Sequence, residues 1–324
     1  MQIIFSTDTR SATEWSRRIR GNRDELVRLH VGAYLDPAGT SLDKITAEVR
    51  HAARTFAAAQ VGDSVISGVS AANLYRLPLL RSRLAERVTV TRTGGGKASR
   101  WVKVRKSRLE SSEVTQLYGM PVTSLARTVT DLAETLQPFE LLALTDGAMR
   151  QGFDPGQLPS EGRNARKLRW VKEHASPRSE SFGESWSRAI LLGSTLPPPK
   201  LQVTVLDAQG KFVARADFAW PELGVIGEFD GMIKYGTGLA PGKTLEDVIK
   251  EERRREERLQ RLGWLVVRWL WSVLHQPDDL LGMLERAHQF GQSVDAPRGS
   301  VHTRALTIPK PGDWSELFGT SKFG

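Results

Sequence analysis

No cysteine occurs among the 324 residues, which excludes disulfides, zinc knuckles, iron–sulfur clusters and thiol nucleophiles. No apolar run is long enough to span a bilayer. The opening residues, MQIIFSTDTR, lack a charged leader followed by a long apolar core. No lipidation motif or basic amphipathic anchor stands out either, so the expected compartment is the cytoplasm and no membrane partner is expected. What the chain does carry is positive charge: 46 Lys and Arg face 37 Asp and Glu, a formal net charge of +9. That balance points to a polyanionic partner, nucleic acid before membrane. The length allows two or three domains with sizeable cores.

The stretch richest in chemistry is Phe212 to Tyr235, FVARADFAWPELGVIGEFDGMIKY. Two β-rich runs flank Pro221-Glu222-Leu223-Gly224, a turn-forming segment, so a hairpin is expected. Phe212, Ala214, Ala216, Phe218 and Trp220 alternate with Val213, Arg215, Asp217 and Ala219, the period of a strand with one apolar face. Pairing Trp220 with Val225 sets Asp217 opposite Glu228 on one face of the sheet, and Asp230 joins them two residues on. Three carboxylates on one patch repel one another unless a cation neutralises them. Mg²⁺ or Mn²⁺ would suit such oxygen ligands, which makes Asp217, Glu228 and Asp230 the candidate metal ligands.

Upstream, Ser11 to Arg20 reads as a short helix with Arg17, Arg18 and Arg20 crowding its end. ELVRLH and GAYLD then form two short strands around a tight turn. Ser41 to Gln60 has apolar residues at helical spacing and is expected to pack as an amphipathic helix. Ser70 lies in Gly68-Val69-Ser70-Ala71-Ala72, which falls short of a nucleophile elbow, so helix capping is its expected role. Val88 to Thr91 and Trp101 to Val104 read as strands around a basic, glycine-rich hairpin tip that lacks the residues of a phosphate-binding loop. In Pro121 to Leu136, Ser124 is a good helix cap, and Arg127 and Asp131 stand four apart, where an ion pair joins successive turns.

The short helix and the hairpin around Leu26-Val27-Arg28 and Gly32-Ala33-Tyr34 resemble the amino-terminal winged helix of the abortive-infection type IV antitoxins (AbiEi-like). The segments SVISGVSAANLYRLPLL and PVTSLARTVTDLAETL are similar to that family's middle domain. This resemblance implies DNA contacts by Arg17, Arg18 and Arg20 and a cognate toxin as a further partner.

A change of pattern follows Gln151 to Arg169, where Gly, Pro and scattered charge suggest a boundary near Pro159. Beyond it the order is a helix over Ser179 to Leu192, a strand over Leu201 to Asp207, the hairpin, a helix from Thr244 to Arg261 and a strand over Trp264 to Leu270. Helix, three-stranded meander, helix, strand is the order of the PD-(D/E)xK nuclease core. Glu184, Asp217 and Glu228, with GEFDG, Leu262-Gly263-Trp264 and Val267-Arg268-Trp269, resemble its very-short-patch-repair branch.

The resemblance implies phosphodiester hydrolysis. Asp217 and Glu228 would hold Mg²⁺, Glu184 would ligate through water, and Lys234 would orient or deprotonate the attacking water. Asp230 stands where that family has lysine, with Lys234 the nearest basic replacement. Arg254 and Arg258, on a helix otherwise laced with ion pairs, are the phosphate-contact candidates of this half.

The expected fold is therefore α+β and multidomain. It comprises a winged helix over 1–40, an α+β middle domain over 41–158, a linker over 159–175, an α/β restriction-endonuclease-like core over 176–295 and an irregular tail over 296–324. The functional expectation is a DNA-binding protein with a Mg-dependent endonuclease domain. The alternative is a non-enzymatic antitoxin or repressor whose nuclease-like domain is degenerate.

Overall fold

The computed structural model describes residues 1–6, 12–21, 26–59, 64–94, 96–231, 244–303 and 313–318. It is a mixed α/β chain with three sheets among the described residues, and it divides into two compact units: 1–175 with 309–324, and 176–308.

The first unit opens with β1 (Gln2–Phe5), α1 (Ala12–Gly21), β2 (Val27–His30) and β3 (Ala33–Asp36). The three strands form an antiparallel sheet in the order β1-β3-β2, with a tight turn at Val31-Gly32 between β2 and β3. Next come α2 (Ala47–Ala59), β4 (Val65–Ile66), α3 (Gly68–Leu74), β5 (Val88–Arg92), β6 (Val102–Lys106), β7 (Val114–Leu117) and β8 (Met120–Thr123). These strands make a five-stranded sheet in the order β6-β5-β4-β8-β7. Three further helices follow: α4 (Leu125–Leu132), α5 (Pro138–Met149) and α6 (Ala165–His174).

The described residues of 1–40 share a core with the rest of the unit. Ile3, Leu29 and Leu35 are buried in the same cluster as Phe56, Ile66 and Val122, because strands this short cannot enclose a core without the helices beside them. The segment expected as a linker contains α6, whose Leu168 and Val171 are buried, so its scattered charges are the outer face of a helix. β5 and β6 pair in parallel rather than as a hairpin. The helix expected from Ser41 begins only at Ala47, after a short 3₁₀ turn over Leu42–Lys44.

Ser70 is not a cap; α3 starts after Ser67. The Ser70 hydroxyl, fully buried, accepts from the Thr89 amide at 2.8 Å and lies 2.8 Å from His51 Nε2. The Arg127–Asp131 pair forms at 2.8 Å, and Arg127 also reaches Glu113 and Ser107. Part of the tail belongs to this core as well. Helix α11 (Trp314–Phe318) is buried against it, and Trp314 Nε1 donates to the Asn73 and Leu74 carbonyls while Arg76 stacks over the ring.

The second unit runs α7 (Phe182–Leu192), β9 (Lys200–Leu206), β10 (Phe212–Trp220), β11 (Val225–Phe229), α8 (Leu245–Arg261), β12 (Leu265–Trp269), α9 (Trp271–Leu274), α10 (Pro277–Gln292) and β13 (Ser300–Thr303). Its sheet order is β12-β11-β10-β9-β13. The meander β9–β10–β11 is antiparallel, and β12 lies parallel to β11. β13, in the stretch expected to be irregular, adds an antiparallel edge strand to β9.

Hydrogen bonds and small residues fix the register and the helices. Trp220 pairs with Val225, as the alternation in the sequence indicates. Thr244 and Asp247 close a reciprocal capping box at the start of α8, and Gly263 turns the chain after it. Ser181 caps α7 by accepting from the Glu184 amide. This helix reaches the sheet because Gly183 has no side chain: a Cβ there would lie 2.0 Å from the Phe229 ring. Trp269 Nε1 donates to Ser187 Oγ at 2.7 Å and ties the same helix to β12.

Candidate active site

The carboxylates of Glu184 and Asp217 are brought together on the sheet by a residue the sequence did not single out. Gln202, on β9, is 5% exposed. Its Nε2 donates to Glu184 Oε2 at 2.9 Å and to Asp217 Oδ1 at 3.3 Å. Glu184 Oε2 also accepts from the Glu180 amide at 2.8 Å, and Asp217 Oδ2 from the Phe229 amide at 3.1 Å. On the other side, Arg215 Nε donates to Gln202 Oε1 at 2.7 Å, and Arg215 is itself paired with Glu180.

Electrostatics marks these two acids as a pair in need of positive charge. Burial raises the Asp217 pKa, and the nearby charges of Glu184 and Glu228 add to it, bringing it to about 7 despite the Phe229 and Gln202 hydrogen bonds. Burial likewise holds Glu184 above the usual carboxylate range against the bonds from Glu180, Ser181 and Gln202.

Glu228 has the opposite environment. Burial works to raise its pKa, but bonds from Arg255 and then Arg268 outweigh it, and the group is held low. Arg255 Nη1 lies 3.2 Å from Glu228 Oε2, and its Nη2 bonds the other oxygen. Arg268 Nε donates to Oε2 at 3.0 Å. Both arginines also reach Glu252, and Arg268 reaches Glu256 at 2.9 Å.

Asp217 and Glu228 lie close enough for their charges to interact, but Glu228 is taken up by the arginines. The arginines draw Glu228 toward α8 and β12. β11 ends at Phe229, the Asp230 amide donates to the Trp269 carbonyl, and Asp230 is exposed. Among the described residues, no three His, Asp or Glu side chains form a group able to hold a metal ion. Lys234 lies outside the described residues.

The nucleic-acid candidates fall at separate places. On α1, Arg17 and Arg20 are exposed, and Arg20 Nε bonds back to the Ser16 carbonyl. The Arg18 side chain is outside what is described. On α8, Arg254 and Arg258 are exposed and have no acidic partner among the described residues, unlike Arg253, Arg255 and Arg261. They line a groove of about 820 Å³ bounded by α8 and by the start of β10, where Phe212 is 57% exposed.

Gln202, Arg255 and Arg268 were missed for a common reason: each acts on a residue far away in sequence. For Arg268 a signal existed, since it is the register partner of Glu228 on the parallel strand.

No family model matches the chain, and no solved structure matches it. Two curated relatives from Mycobacterium tuberculosis are similar to it: the uncharacterized protein MT2308 of strain CDC 1551 / Oshkosh and the uncharacterized protein Rv2248 of strain ATCC 25618 / H37Rv. Each is 30% identical over 156 residues, which cover 46% of this chain and 54% of the relative. The chain thus spans about half the length of the curated relatives it matches. Among the described residues no helix is long and apolar enough to cross a membrane.

Proposed function

We propose that the second unit is a Mg²⁺- or Mn²⁺-dependent phosphodiester-cleaving domain acting on DNA, in a cytoplasmic protein whose first unit supplies nucleic-acid affinity. The observation that carries this reading is the Glu184–Asp217 pair, a buried and a half-buried carboxylate whose mutual repulsion helps move Asp217 to about 7. Mg²⁺ sites of phosphoryl-transfer enzymes commonly use one or two carboxylates, the remaining positions going to water and substrate phosphate. The donor set fits that pattern without a third converging acid.

Asp217 and Glu184 are the residues that would hold the ion. Glu228 would join on release from its arginines, and Asp230 is a further acid at the end of β11. Such an ion lowers the pKa of a bound water and offsets charge at the scissile phosphate. Lys234 is assigned to orienting or deprotonating that water, as in the PD-(D/E)xK resemblance. Arg254 and Arg258 would contact phosphates beside the site, and Arg17, Arg18 and Arg20 would do so from the first unit. The distribution of charge supports this division: the first unit carries the whole formal +9, and the second is balanced.

A second reading is favoured by the arginine clamp on Glu228 and by Asp230 in the lysine position. In it the domain is a degenerate scaffold within a DNA-binding antitoxin or repressor with a toxin partner. The two separate in a cleavage assay on duplex, mismatched and single-stranded DNA with Mg²⁺ or Mn²⁺. Cleavage abolished by Asp217→Ala and Glu228→Ala supports the nuclease. Sequence-specific binding to its own promoter, with no cleavage of any substrate, supports the regulator.

A further inference from the structure

Gln202 occupies a position that a core-filling residue would not choose. Its neighbours Leu201 and Val203 pair in ordinary register with Phe218 and Ala216, which places it opposite Asp217. Yet its φ is +50°, left-handed backbone in the interior of a strand. For a residue with a Cβ that conformation carries a steric penalty. Burying a carboxamide adds a further cost unless each of its polar atoms finds a partner.

Here they do, and in one orientation only. The carbonyl oxygen meets Arg215, which can only donate, and the amino group meets two carboxylates, which in their ionised forms can only accept. Turning the amide over would face oxygen with oxygen and nitrogen with guanidinium. Arg215 thus fixes the amide, and the pairing with Glu180 fixes Arg215. The result holds one oxygen of each acid. Glu184 Oε2 is held by Gln202 and the Glu180 amide, and both oxygens of Asp217 are fastened, one to Gln202 and one to the Phe229 amide.

We infer that Gln202 is the positioning residue of the acidic site, its carboxamide setting the separation and orientation of Glu184 and Asp217 for a divalent cation. The cation clause rests on the function proposed above; the hold on the two acids does not.

The test uses the full chain and two readouts, the titration of the Asp217 carboxyl followed by ¹³C NMR without metal, and Mn²⁺ affinity by calorimetry. Gln202→Leu removes the donor, so the Asp217 midpoint should rise by about one pH unit. Mn²⁺ binding should weaken about tenfold, the usual effect of losing a residue that orients ligands. Gln202→Glu keeps the size and replaces the donor with a third acid, so it should raise the midpoint at least as far. Arg215→Ala frees the amide to turn and also removes a positive charge that acts on Asp217 and Glu184, so it should move the midpoint in the same direction by both routes. A residue that only fills space would change the melting temperature and leave the midpoint alone; unchanged midpoints in Gln202→Leu and Gln202→Glu overturn the inference. If wild type binds no Mn²⁺ but the midpoints move as stated, Gln202 keeps its positioning role and the metal-dependent reading falls.

Discussion

Arg268 donates to Glu228 from the adjacent position of a parallel strand, Nε to Oε2 at 3.0 Å, and Arg255 grips the same carboxylate from the helix above. Glu228 is thereby neutralised within the protein, while Asp217, one strand over, is not. The two acids that looked equivalent in the sequence are opposite in character. One is satisfied by two arginines, and the other has only the longer-range charge of Arg215.

The clamp is predicted to compete with metal. Arg255→Ala removes part of the compensation of a Glu228 side chain only 13% exposed, which should destabilise the metal-free protein by about 1–3 kcal/mol. Saturating Mn²⁺ should restore more stability to this variant than it adds to wild type, measured as the shift in melting temperature. Equal shifts would show that Glu228 does not join the metal site.

Asp217 should make the protein less stable as pH rises. Its folded pKa, about 7, lies above the ordinary 3.8, so the fold favours the protonated acid. Stability is then fully supported below about pH 4 and lost as pH rises through 7. Asp217→Asn should stabilise the metal-free protein at pH 8 by about 1–3 kcal/mol, a figure discounted for its partial exposure, and should have little effect near pH 4. Denaturant titrations at both pH values check this.

His51 predicts the reverse trend for the first unit. Burial lowers its pKa from 6.5 to about 4, outweighing the Ala85 carbonyl bond, so the neutral ring is the folded form. Its contribution is complete above pH 6.5 and lost as pH falls toward 4, up to ~3 kcal/mol. The difference in unfolding free energy between wild type and His51→Asn should shrink across that window. A constant difference would contradict the assignment.

Gly183→Ala should loosen α7 from the sheet. The new methyl would meet the Phe229 ring and displace the turn that carries Glu184. Overpacking of this kind costs about 1–3 kcal/mol. A calorimetric melting scan should show the loss, with weaker Mn²⁺ binding beside it.

Phosphate neutralisation by the exposed arginines is read from salt dependence. Replacing Arg254 and Arg258 by Ala should reduce the slope of log affinity against log salt by about 2, near 0.9 for each phosphate that is no longer neutralised. Arg17→Ala with Arg18→Ala should do the same if α1 meets the duplex. An unchanged slope removes that pair from the interface.

Local patterns were legible in the sequence where neighbouring residues decide them. Alternation and a Pro-Gly turn placed Trp220 beside Val225, and a Thr-x-x-Asp box started α8. What escaped was set by distant packing. Gln202 reads as one of three polar residues, with Lys200 and Thr204, that alternate with apolar ones along β9, and nothing nearby reveals its left-handed backbone or the two acids it bridges. Gly, Pro and Ser in the tail hid Trp314, whose burial depends on carbonyls some 240 residues earlier. Carboxylate spacing located Asp217 and Glu228 but carried no information on which of them the arginines would claim.

The most direct measurement is the pH titration of the Asp217 carboxyl by ¹³C NMR, with and without saturating Mg²⁺. The expected midpoint in metal-free protein is near 7. It should fall by at least about two pH units when Mg²⁺ supplies the missing charge. A midpoint in the ordinary carboxylate range without metal, or one that Mg²⁺ leaves unmoved, would contradict a site built around Glu184 and Asp217 for a divalent cation.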